Sequence, residues 1–111
     1  MTKADQLNAD VQRTEAAEHA AKEVFAWAER AEASLRVALA AALQAALADV
    51  PPSARHVAGA MSGAVQEAWS AVQHERDRAA DDAIDAKRAL SQAHEALRGA
   101  VRLDRSPSDQ D

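Results

Sequence analysis

Cysteine and tyrosine are absent from this chain of 111 residues, so it can form no disulfide and carries no thiol chemistry. Large aromatic rings are nearly absent, being limited to Phe25, Trp27 and Trp69. Glycine and proline occur only three times each, and neither lies between Lys3 and Asp49. Since these two residues are the strongest helix breakers, nothing interrupts a helix over that span. No window alternates apolar and polar residues in the way a half-buried strand does.

What the chain has in abundance is alanine, the residue with the highest helix propensity. The prolines of Val50-Pro51-Pro52-Ser53 break the helix near the middle, and Ser53 or Pro52 begins the next one. We therefore predict an all-α fold, a long antiparallel two-helix hairpin that resembles a coiled coil and forms one domain. The predicted boundaries are the domain at 1–104, arms at about 3–49 and 53–103, the turn at 50–52 and a disordered polar tail at 105–111.

Each arm carries an apolar stripe in steps of three and four, which is the spacing of one helical face. Gly59 and Gly63, one turn apart in the second arm, are predicted to let Leu43 or Leu47 approach the backbone closely. The stripe of the first arm, with a gap at Thr14, is Leu7, Val11, Ala17, Ala21, Val24, Ala28, Ala31, Leu35, Ala38, Ala42 and Ala45. The stripe of the second arm, with a polar step at Glu75/Arg76, is Val57, Met61, Ala64/Val65, Ala68, Val72, Ala79, Ala83, Ala86, Leu90, Ala93, Leu97 and Val101.

The segment from Val37 to Val65 carries only two charged side chains, Asp49 and Arg55, whereas charges are frequent in both arms outside it. Its first part is apolar nearly all round, and a helix of that kind is normally buried on more than one side. A core of alanine methyl groups buries little area, so a lone hairpin is expected to be marginally stable. We expect this segment to pair two copies into a four-helix bundle or to dock on a larger protein. The predicted contact residues are Trp27, Leu39, Leu43, Leu47, Val57, Met61, Val65 and Trp69.

The two tryptophans differ in their predicted roles. Trp27 lies two residues beyond Phe25 and points away from the stripe, so it is the best single candidate for a partner contact. Burial of Trp27 between two copies of the chain is the alternative. Trp69 lies next to the stripe position Ala68 and belongs either to the core or to its edge.

A formal charge of −5 disfavours nucleic acid and anionic membrane surfaces as partners, because both are bound through excess lysine and arginine. The residues after Met1 lack the apolar region of a Sec-type signal peptide. Val37–Ala48 is apolar apart from Gln44, but it is shorter than the roughly 20 residues that span a bilayer. We therefore expect a cytoplasmic protein, with secretion that needs no signal peptide as the alternative.

Two patterns would suit an enzyme. Glu15, His19 and Glu23 share one face of the first arm, and antiparallel pairing brings Asp81, Asp85 and Arg88 to a similar height. Carboxylates and imidazole can bind a metal ion, but the same residues also form a solvated, salt-bridged face. Arg13 and His19 match the Arg-x(4–6)-His spacing of helical ribonucleases of the HEPN type, a spacing that also arises by chance in a charged helix. We expect no catalysis, no metal and no cofactor.

The layout resembles that of the small Trp-x-Gly proteins of type VII secretion, which have two long helices and a central turn and pair as four-helix dimers. The turn here is Val50-Pro51-Pro52-Ser53 in place of Trp-x-Gly, and no tyrosine is present for the secretion signal. Phe25-Ala26-Trp27-Ala28-Glu29 mimics that signal chemically but lies in the first arm. The resemblance implies a secreted hairpin with a helical partner, as an alternative to an assembly protein. A phage or regulatory protein that inhibits a larger machine by binding it fits the same pattern.

Overall fold

A computed structural model describes the backbone of residues 2–109 and the side chains of residues 2–103. Helix α1 is Lys3–Ala46 and helix α2 is Arg55–Asp109, with a short 3-10 helix at Pro52–Ala54 between them. No strand occurs within residues 2–109. The predicted all-α helical hairpin is therefore confirmed. Pairing of hairpins into a bundle stays a prediction.

A reciprocal pair of hydrogen bonds caps the start of α1. The backbone N–H of Asp5 donates to Thr2 Oγ1 at 3.1 Å, and the backbone N–H of Thr2 donates to Asp5 Oδ2 at 3.3 Å. Two backbone donors that a helix N-terminus leaves without partners are thereby satisfied. The negative charge of Asp5 also lies at the end of the helix dipole that favours it.

The turn begins three residues earlier than the predicted arm boundary at 49. The N–H of Leu47 still bonds the carbonyl of Leu43 at 2.9 Å, and Asp49 then adopts φ 56°, the left-handed conformation that ends many helices. Pro52 takes the first position of the 3-10 helix, and the N–H of Ala54 bonds the carbonyl of Pro51 at 2.9 Å. The alternative with Pro52 at the first helical position is the one that forms.

Helix α2 continues through residues 105–109, which belong to the predicted disordered tail at 105–111. The side chains beyond residue 103 lie outside the described residues. Residues 110 and 111 also lie outside the described backbone. Within the described residues, no helix combines the length and the apolar character needed to cross a membrane.

Contacts divide the chain into two units. Unit 1 combines Met1–Val24 with Ala80–Asp111, and unit 2 is Phe25–Ala79. In each unit a stretch of α1 runs beside a stretch of α2, and we call the line of side chains between the two helices the seam. The seams of the two units are described separately below.

In unit 1 most residues of the predicted stripe lie in the seam. Val11 is buried, and the half-buried residues include Leu7, Ala21, Ala83, Ala86, Leu90, Ala93 and Leu97. Thr14, the polar residue that interrupts the predicted stripe, is itself half-buried in the seam. Its hydroxyl donates to the carbonyls of Asp10 and Val11 at 2.9 and 3.0 Å. Because its own helix satisfies this hydroxyl, the threonine fits a half-buried position. Ala17, Val24 and Val101 were predicted to lie in the seam but are exposed.

In unit 2 the prediction of which residues form the seam is partly wrong. The predicted positions that are buried or half-buried are Ala28, Ala31, Val65, Val72 and Ala79, together with Arg76 at the polar step. The predicted positions that are exposed instead are Leu35, Ala38, Ala42, Ala45, Val57, Met61, Ala64 and Ala68. The buried and half-buried residues that take their place are Phe25, Glu32, Leu39, Leu43, Leu47, Ala54, Ala58, Ser62 and Trp69.

Side-chain size explains this difference. Alanine occurs all round α1 in unit 2, so it does not distinguish the seam face from the other faces. Leu39, Leu43 and Leu47 bury much more apolar area than alanines can, and burial of apolar area is the main driving force for packing. The helix therefore turns Leu39 and Leu43 toward α2 and the alanines around them outward.

The predicted close approach at Gly59 and Gly63 is also wrong. A Cβ atom added to either glycine would meet nothing within 4 Å. Both glycines are exposed, whereas Ala58 and Ser62, one residue before each, are half-buried. The small residues opposite the leucines of α1 are therefore alanine and serine.

Candidate interaction surface

The predicted contact residues separate into two groups in unit 2. The half-buried group consists of Leu39, Leu43, Leu47, Val65 and Trp69, which close the seam of the hairpin itself. The exposed group consists of Trp27, Val57 and Met61, with exposed fractions of 63%, 48% and 54%. Val37, which was not among the predicted contacts, is 71% exposed. The second group offers more exposed area to another molecule than the first group, which lies half-buried between the two helices.

A shallow groove lies along one side of the seam in unit 2. It has a volume of about 200 Å³ and is lined by Arg36, Leu39, Ala40, Leu43, Val65, Gln66 and Trp69. Arg36, Ala40 and Gln66 therefore mark one side of the hairpin in this unit. We call it the groove side.

The opposite side of unit 2 is apolar along both helices near the turn. On α2 it ends at Ala71, because the next position on the same side is the exposed Glu75. Two residues advance a helix by about 200°, so Ala38 lies nearly opposite Arg36, and Ala68 nearly opposite Gln66. From these two alanines the same side continues in steps of three and four. We define the outer face as Trp27, Ala31, Ser34, Ala38, Ala41 and Ala45 of α1 with Val57, Met61, Ala64, Ala68 and Ala71 of α2.

The outer face has no charged side chain at any of its positions. All of its members are exposed except Ala31, which is half-buried. Near the turn, Met61 of α2 and Ala42 and Ala46 of α1 line the same shallow cavity of about 150 Å³. The apolar surface therefore continues from one helix to the other. Sequence reasoning assigned Ala38, Ala45 and Met61 to the seam, so it found these apolar positions but placed them on the wrong side of their helices.

A charged cluster lies in the seam of the same unit. Glu32 is only 3% exposed, and its carboxylate contacts Arg36 at 3.0 Å and Arg76 of the other helix at 2.6 Å. The guanidinium of Arg36 also lies 5.9 Å from the centre of the Trp69 ring, a distance that allows a cation–π interaction. Arg76 contacts Asp77 at 2.9 Å. The spacing of Glu32 and Arg36, one helical turn apart, indicates their contact in the sequence, whereas the contact with Arg76 appears only in the structure.

The electrostatics of the cluster keep Arg76 charged. The hydrogen bond that Arg76 donates to Asp77 is the largest cause that raises the pKa of Arg76, partial desolvation opposes it, and the negative charge of Glu32 adds to the rise. Each charged group in the cluster thus has a partner of opposite sign. This is the arrangement of an ion-pair network that joins two helices.

The residues considered for metal binding lie in separate pairs within unit 1. His19 Nε2 is 3.1 Å from Glu23, whereas Glu15 lies 3.8 Å from His94 of the other helix. Arg88 contacts Asp85 at 3.8 Å. Over the part of the chain that the structure describes, no group of three or more histidine, cysteine, aspartate or glutamate side chains is placed to hold a metal ion.

The pair considered for ribonuclease activity is likewise divided between two ion pairs. Arg13 contacts Asp10, one turn before it, while His19 contacts Glu23, one turn after it. The side chains of Arg13 and His19 are about three-quarters exposed. Their positions are those of a solvated helical face.

No protein-family model matches this chain, and neither a curated protein nor a solved structure matches it significantly.

Proposed function

We propose that this chain is a non-enzymatic helical interaction protein that acts through the turn-proximal surface of unit 2. The observation that supports the proposal is the exposure of Val57 and Met61 within a segment that has almost no charge. Soluble monomers rarely leave a large contiguous apolar patch exposed, and such patches usually mark interaction sites. The rest of the chain is rich in charge, so the apolar character is local.

The physical role of the surface is burial of apolar area against a partner. Large exposed side chains such as Trp27 and Met61 lose more water-accessible area on binding than the alanines around them. Because the hairpin has few fully buried side chains within the described residues, burial at this surface also adds to its stability. The partner is a protein, since the outer face offers no cation for phosphate or anionic lipid.

The proposal predicts that two substitutions near the turn release the chain from its complex. Val57→Asp with Met61→Asp places two charges on the surface, and both sites are exposed, so the hairpin itself stays folded. We expect the tagged parent chain, in a lysate of the organism that encodes it, to elute on size exclusion well above the size of one hairpin. The double variant is expected to elute as a single hairpin with unchanged helical circular dichroism.

Ile84→Asp is the matched control. Ile84 is an exposed apolar residue, 56% accessible, that lies in unit 1 and outside the turn-proximal segment. Its variant should elute with the parent. Elution of the parent chain as a free hairpin, or an equal effect of Ile84→Asp, would contradict the proposal.

A further inference from the structure

We infer that the outer face of unit 2 binds the outer face of a second copy of this chain, which gives a four-helix arrangement. This inference rests on the proposed function and names its partner. It depends on three properties of the face, which are its charge, its residue sizes and its area.

The charge of the outer face favours self-association over binding to a different protein. Two identical chains each carry a net charge of −5 and repel one another at most surfaces. Within the outer face no position is charged, and Glu75 lies just beyond its end on α2, so two copies that meet at the turn-proximal positions place no like charges in contact. A different partner would be selected by charge complementarity, and this face offers none.

The residue sizes suit close packing between helices. Ala38, Ala41 and Ala45 of α1, and Ala64 and Ala68 of α2, follow one another in steps of three and four. This spacing is that of a coiled-coil contact line, and small side chains let the helix axes approach closely. Both helices of the hairpin carry such a line on the same side, so two hairpins can pack face to face.

The area is close to what a specific dimer requires. At 1.5 Å per residue, the face extends about 27 Å along α1 and about 21 Å along α2. With helices about 10 Å wide, its projected area is roughly 500 Å², and the accessible area of a corrugated helix surface is larger. Stable interfaces bury from about 600 Å² per partner, so we expect a dimer that dissociates in the micromolar range.

The test compares two alanines that lie on opposite sides of α1. Ala38 lies on the outer face, and Ala33 is exposed about 140° away round the helix, towards the groove side. Alanine to glutamate costs the same helix propensity at both sites, so only the location differs. Purified parent, Ala38→Glu and Ala33→Glu proteins are examined by sedimentation equilibrium up to about 100 µM, with circular dichroism to confirm helicity.

We expect twice the mass of one chain for the parent and for Ala33→Glu, and the mass of one chain for a helical Ala38→Glu. A parent that is monomeric throughout overturns the inference, as does a dimeric Ala38→Glu or an equal loss of dimer in Ala33→Glu. These results are separable from the proposed function. If the purified parent is monomeric but its host complex still depends on Val57 and Met61, the second copy is the wrong partner and the interaction surface stands.

Discussion

At the scale of single residues, Glu32 has a different environment from the other acidic side chains described here. It is almost fully buried, and it contacts an arginine on each helix of unit 2. A buried carboxylate needs such partners, because removing it from water without them costs several kcal/mol. The contact with Arg76 also joins one position on α1 to one on α2. A buried polar contact of this kind can specify the alignment of two helices whose alanine-rich surfaces would pack in several ways.

We therefore expect Glu32→Gln to lower the free energy of unfolding by about 1–3 kcal/mol, because a neutral amide loses its charge-assisted hydrogen bonds. Glu23→Gln is the matched control, since Glu23 is exposed and contacts only His19 among the ion pairs described. Its variant should stay within about 0.5 kcal/mol of the parent. Urea unfolding at one fixed protein concentration measures both. An equal, small effect of the two substitutions would show that the buried ion pair does not stabilise the hairpin.

At the scale of the helices, α2 contains three glycines, and a Cβ atom added to any of them would meet nothing within 4 Å. Glycine in a helix interior has greater backbone freedom in the unfolded chain and costs up to about 1 kcal/mol relative to alanine. Gly59 and Gly63 lie in the first part of α2, and both have room for a Cβ atom. They also lie about 160° to 200° round the helix from Met61, on the side away from the outer face.

We expect Gly63→Ala to raise the free energy of unfolding by about 0.8–1 kcal/mol. Ala60→Gly, at an exposed position one turn before, is the reverse control and should lower it by a similar amount. Thermal or urea unfolding followed by circular dichroism distinguishes the two directions. A loss of stability in Gly63→Ala would mean that another helix approaches the backbone at this glycine.

At the scale of the whole molecule, the hairpin buries few side chains completely. Val11, Ala79 and Glu32 are the buried residues within the described part of the chain, and the largest of the other apolar side chains are half-buried or exposed. A small chain with so little buried apolar area has a narrow margin of stability. Association through the outer face would add the area that the hairpin lacks.

If the folded chain associates and the unfolded chain does not, its unfolding temperature depends on concentration. We expect the midpoint of thermal unfolding of the parent to rise with protein concentration. Each tenfold increase in concentration stabilises the folded dimer against two unfolded chains by about 1.4 kcal/mol per mole of dimer. Ala38→Glu should unfold at a temperature that does not depend on concentration. Circular dichroism over a hundredfold range would show this, and a constant midpoint for the parent would argue against dimerisation.

Much of the architecture could be predicted because it depends on local properties. The absence of helix breakers before Asp49 and the two prolines after it determine where helices form and where the chain turns. In unit 1, charged residues separate the apolar positions clearly, and the stripe around Leu90 and Leu97 was predicted correctly. The surface of unit 2 was recognised as apolar, but its exposed side was not identified.

The sequence by itself determined two long helices, a turn at Pro51-Pro52 and a segment around it with only two charges, because helix propensity, proline geometry and charge are properties of single residues. Only the tertiary structure decided which side of that segment faces inward. Where every face of a helix is rich in alanine, the pattern of apolar residues is nearly the same for each rotation of the helix. Packing of Leu39 and Leu43 and the ion pair of Glu32 with Arg76 select one rotation. That choice leaves Ala38, Ala45 and Met61 on the outside.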